Sequence, residues 1–184
     1  VSFAGEIRLA LAMSIAASSP SATLRTIRIW LALFIVGLVL SGITAFPLVH
    51  ELDLLAALVP AEAARAEGGL AWWILHVRDG LHAMAASFPF LAYGTDWLAF
   101  GHIVIAMFFV APLMDPVRNI AVLYTGLAAC AGVLPLALIC GPIRGIPFYW
   151  RLIDCSFGLL GLVPLLIVIR LIRRLERAEK TAAR

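Results

Sequence analysis

Four histidines are the residues best suited to chemistry in this 184-residue chain, and three of them, His50, His76 and His82, fall within residues 46–97. The fourth, His102, follows a short way on. Imidazoles on facing helices can hold haem b or a divalent metal. His76, Asp79 and His82 are spaced three apart. Each such step turns a helix by about 60° short of a full turn, so the three form a drifting stripe. That stripe makes a poor chelate by itself. It becomes a site if His50, His102 or Asp154 closes on it; otherwise it is a wet amphipathic face.

His102 lies six residues past Asp96, about 9 Å along a helix. An ionisable group at that depth in a membrane helix faces the bundle interior or a wet cavity. It is read either as a neutral histidine bonded to a neighbouring helix or as a ligand or proton carrier. Asp79, Asp96 and Asp154 are the carboxylates for a proton or polar network. Arg78 stands four residues before His82 and disfavours its protonated form, unless Asp79 or another acid offsets the charge.

Arg144 and Arg151 flank a loop stiffened by Pro142, Gly145 and Pro147. Guanidinium groups bind phosphate and carboxylate in a bidentate way, so this pair could hold a lipid headgroup, a carboxylate or a haem propionate. The alternative is a plain anchor, with Arg151 paired to Asp154 at i, i+3 and Phe148, Tyr149 and Trp150 as an interfacial belt. Cys140 and Cys155 fall at matching helix ends and could form a disulfide in an oxidising compartment. Cys130 reads as a small packing residue. The sequence has no Gly-rich phosphate loop, no H-E-x-x-H, no G-x-S-x-G and no C-x-x-C. Motif-based hydrolase, nucleotide and c-type haem readings therefore have no support.

The elements that must position these groups are apolar. Hydrophobic residues make up 63% of the chain and charged residues 14%, against about 45–50% and 25% in soluble domains. So short a soluble chain could not bury that much apolar surface. No basic run interleaved with aromatics points to nucleic acid. The fold class expected is an all-α integral membrane protein, a four-transmembrane-helix bundle with an interfacial helix in its long first outer loop.

The expected layout is a leader at 1–26 and a first span at 27–49. An outer loop at 50–95 follows, with the interfacial helix at 70–88. Residues 96–114 and 117–140 make the second and third spans, 141–151 an outer loop, 152–172 the fourth span and 173–184 a basic tail. Within the leader, residues 1–22 read as a short amphipathic segment, a signal peptide or upstream translation. The stretch 70–88 is too short in its apolar run and too charged to span freely, and Trp72 and Trp73 suit the headgroup level. Pro47 marks the end of the first span. Asp115-Pro116 makes a turn in which Asp115 can cap the third. Small residues mark the expected contact faces: Gly37 and Ser41, Gly126 and Cys130, Ala128 and Gly132, Gly158 and Gly161. Short turns make spans two, three and four antiparallel neighbours.

Four spans put both termini on one side. Ten of the fourteen Lys and Arg residues then share that side, and seven of the eleven acids lie on the other. The positive-inside rule places the termini in the cytoplasm of a bacterial-type inner membrane. The expected partners are the lipid bilayer and either a larger membrane complex or a homo-oligomer. The function expected is that of a non-catalytic subunit or accessory component docking through its outer segment. A haem b or metal redox protein is the alternative, and a small transporter or lipid-handling protein the second alternative. A cysteine placed at Ala183 should escape a membrane-impermeant maleimide in intact cells and react after permeabilisation. Labelling in intact cells would reverse the topology.

Overall fold

A computed structural model describes residues 20–182, so the first nineteen residues of the expected leader lie outside the described residues. Every regular element described is helical. Among the described residues four helices are long and apolar enough to cross a membrane, as expected of a multi-pass membrane protein.

The first, α1 (Pro20–Ala45), starts and ends earlier than the 27–49 expected from hydropathy. Pro47 sets the end. It has no N–H to offer Ile43, and the chain turns at Phe46–Pro47. A helix that the sequence reading left as a polar loop follows, α2 (Leu48–Ala57). Its first turn carries Glu51, favourable at a helix N-terminus. Pro60 precedes a single helical turn, α3 (Ala61–Ala64). Gly68 then takes φ +78°, a left-handed conformation open to glycine, and the chain reverses there. The expected helix at 70–88 is present as α4 (Leu70–Ser87), and it packs on α2 to make a helical hairpin.

A 3₁₀ turn (Pro89–Ala92) leads into α5 (Tyr93–Phe108), and α6 (Val110–Met114) completes the second apolar segment. The break between them has a clear cause. Pro112 cannot donate to the Phe108 carbonyl, and Phe109 N–H tightens onto Ala106 O at 3.1 Å. Asp115 does accept a bond from the Arg118 backbone N–H at 3.1 Å. It caps only a turn, however, and the third apolar helix, α7 (Ile120–Pro135), starts at Ile120. Asn119 ties this corner by donating to the carbonyls of Ala111 (3.2 Å) and Asp115 (2.9 Å). Arg28 adds a bond to Met114 O at 3.4 Å. Carbonyls left over at a helix C-terminus are thereby satisfied.

Pro135 and Pro142 each remove a donor from the third helix. Between them the ladder widens into a π turn (Leu136–Cys140), followed by α8 (Gly141–Ile143). The fourth, α9 (Phe148–Ala182), is one 35-residue helix. It runs unbroken into the basic tail, which continues it as a basic helix.

Packing departs from chain succession. α1 lies between α5 and α9, and α9 lies between α1 and α7. The second and third segments meet at their connecting turn and are not packed along their length as the short turn had implied. Close approach explains the order, because helices in lipid gain by backbone proximity rather than by hiding apolar surface. A Cβ at Gly42 would sit 2.8 Å from Ala99 O on α5, and one at Gly158 would sit 2.6 Å from Cys130 O on α7. At Gly161 it would meet Cys130 Sγ at 2.7 Å, and at Gly126 the Phe109 ring at 2.6 Å. Gly37 and Gly132, both expected on contact faces, have nothing within 4 Å.

The densest core lies at the end where α1 begins and α9 carries its arginines. Ile27, Leu31, Phe109, Leu123, Leu165, Val168 and Ile172 cluster there. The Phe34 and Phe109 rings meet with centroids 4.7 Å apart and planes tilted by 59°. Gly158→Leu should destabilise the protein by about 1–3 kcal/mol through overpacking, while Gly37→Leu should be neutral. Unfolding of both variants in mixed micelles measures the difference, and equal losses would contradict the assigned faces.

Candidate functional site

The hairpin of α2 and α4 carries three of the histidines, and each has a different environment. His82 on α4 places Nε2 2.8 Å from Asp53 Oδ1 on α2. A carboxylate only accepts, so Nε2 donates. Asp53 is thus the acid paired with His82, four residues after Arg78. Arg78 itself turns to Asp79, with Nε at 2.9 Å and Nη2 at 2.6 Å from Oδ1. His76 stacks on Trp72 with centroids 4.8 Å apart and planes 11° from parallel. Trp73 flanks it at 5.6 Å. His50 is exposed on α2.

His102 bonds to its own helix rather than to a neighbouring one. Its Nδ1 donates to Leu98 O on its own helix at 2.8 Å. This fixes the tautomer and leaves Nε2 as the acceptor. Its Cβ lies against Gly42 of α1, where a methyl group would come within 3.2 Å. Asp96 occupies the first turn of α5, where the helix N-terminus favours a negative charge. Asp154 is half-buried on α9. Among the described residues, no three His, Cys, Asp or Glu side chains gather at one centre. Among the described residues none of the four histidines is bonded to Asp79, Asp96 or Asp154; His82 pairs with Asp53 and Asp79 with Arg78.

The arginine loop has its own geometry. Gly145 takes φ +70° and allows the reversal between α8 and α9. Arg144 is exposed. The expected Arg151–Asp154 pair is not among the ion pairs of the described residues, which are Arg78–Asp79, His82–Asp53 and Arg173–Glu176. Arg151 instead folds its methylenes onto Gly141, which has no side chain to oppose them. Its guanidinium stands 5.3 Å from the Phe148 ring centroid, a cation–π contact. Its Nε is enclosed without a hydrogen-bond partner, as is Trp73 Nε1. Cys140 is exposed, Cys155 is buried, and both are free thiols.

Two contacts were not legible in the sequence. Tyr149 Oη donates to Gly69 O at 3.1 Å and joins the start of α4 to the start of α9. Only the aromatic belt residue hinted at it. At the opposite end, Arg173 bonds Tyr124 Oη at 3.0 Å and Glu176 at 3.2 Å. What the hairpin and loop arrangement can do chemically is present charge and aromatic surface, held in register by a few polar links.

The His82–Asp53 pair is solvent-facing, so its coupling should be small. A double-mutant cycle with His82→Gln and Asp53→Asn should return about 0.2–1 kcal/mol. A coupling several times larger would mean a buried, structurally decisive pair. No family model, no curated protein and no solved structure matches this chain.

Proposed function

We propose that this chain is a non-catalytic component of a larger membrane assembly and docks through the α2–α4 hairpin. Its four apolar helices form an inner-membrane bundle with both termini in the cytoplasm, and α4 lies at the outer interface.

One observation carries the reading. The hairpin buries Leu52 and Ala56 of α2 with Trp73 and Ile74 of α4, yet leaves apolar side chains uncovered. Leu54 is 70% exposed and Leu58 79% exposed. These residues lie beyond the end of α1, after the Phe46–Pro47 turn, on the face of α2 that also carries His50 and Glu51. An uncovered apolar patch rimmed by polar groups marks an interaction surface. The uneven distribution of arginines supports the orientation.

A photo-activatable residue in place of Leu58 tests the docking face in native membranes. One or a few discrete protein adducts are expected, and they should be lost when Leu54→Glu is added. Adducts with lipid alone would overturn the reading and make the hairpin a membrane anchor.

A further inference from the structure

At the end opposite the hairpin, a groove of about 560 Å³ runs between α1 and α6. Its floor and sides are Leu24, Ile29, Ala32 and Leu113, and its head is formed by Ser21, Arg25 and Arg28. From Ser21 to Ala32 is about 16 Å along the helix. Neither arginine is in an ion pair among the described residues, in contrast to Arg78 and Arg173 on the same chain. Arg28 makes one long bond, 3.4 Å, to Met114 O, which holds its stem across the groove. Arg25 is exposed beside it. The lining below the two guanidinium groups is almost wholly apolar.

We infer that this groove binds one anionic phospholipid, its phosphate held by Arg25 and Arg28 and the upper part of an acyl chain lying along Ile29, Ala32 and Leu113. The chemistry matches at both ends. Guanidinium presents paired donors to phosphate oxygens. Three methylene-lined positions below it take a hydrocarbon chain, and the groove opens sideways from helices whose outer surface is apolar. Charge selects the headgroup, and the groove limits the number bound to one. Asp115 makes no ion pair with Arg25 or Arg28 among the described residues; its carboxylate accepts the Arg118 backbone N–H.

Native mass spectrometry of the full chain in mild detergent, titrated with phosphatidylglycerol or phosphatidylcholine, tests the proposal. One phosphatidylglycerol should bind in preference to phosphatidylcholine. Arg25→Gln should weaken it about fivefold, and Arg25→Gln with Arg28→Gln roughly twenty-fivefold. Arg174→Gln with Arg177→Gln, at the same end of the molecule, should leave the tight site unchanged. Equal weakening by that control pair, or no preference between the lipids, would reduce the effect to diffuse charge and overturn the inference. Ala32→Trp keeps both arginines but fills the groove, and should also abolish the tight site; unchanged binding would overturn the acyl-chain assignment. A photo-activatable residue at Ala32, which is exposed, then reads the occupant by adduct mass. A phospholipid adduct supports the proposal, and an adduct with residues 1–19 or with a second copy overturns it. If Arg28→Gln disturbs folding, Arg25→Gln alone still carries the charge test.

Discussion

The structure depends on helix backbones coming close where side chains are absent. Lipid solvates leucine as well as a neighbouring helix does, so burial of apolar surface cannot order four helices in a membrane. Contact at short range can. Gly42 lets α1 meet the Ala99 carbonyl, Gly158 lets α9 meet the Cys130 carbonyl, and Gly126 receives the ring of Phe109. These three approaches fix which helix lies beside which. The aromatic pair of Phe34 and Phe109 then closes one end, where Ile27, Leu123, Leu165 and Ile172 pack without voids large enough to expose them. At the other end Leu136, Ile139, Phe157 and Leu160 stay uncovered.

Prolines decide where each helix stops or loosens. Pro47 ends α1, Pro112 breaks the second segment at Phe109, and Pro135 with Pro142 widens the third into a π turn. Each acts by the same means, a missing N–H that leaves a carbonyl four residues back without its partner. The consequences differ with what lies nearby. At Pro112 the break turns Phe109 into the core. At the π turn the widened ladder brings Gly141 to the surface that Arg151 covers.

Much of this was legible in the sequence, and what was not has identifiable causes. Hydropathy located all four apolar helices, because one-dimensional runs of apolar residues report membrane crossing directly. It misplaced the ends of α1, since arginines at 25 and 28 look like a flank although the helix simply continues through them. It missed α2, because His50, Glu51 and Asp53 read as a loop while Leu52, Leu55 and Ala56 supply the helical face. Packing order was not readable. Small-residue motifs occur on several faces, and only the fit between two particular helices tells Gly158 from Gly132. The polar residues were read as one group, and their pairings were not foreseen. Whether Arg151 turns to Asp154 or to Gly141 and Phe148 depends on a space that a residue on another helix leaves open.

The place of α9 between α1 and α7 has a consequence for how the molecule comes into being. Chains emerge N-terminus first, and early segments fold as they appear. Here the element that joins the first helix to the third is made after both. Until residues 165–172 leave the ribosome, Ile27 and Leu123 have no common partner, and the Cys130 face of α7 has nothing to meet. The α1–α5 pair and α7 therefore wait as separable units, and α9 is the wedge that turns them into one body.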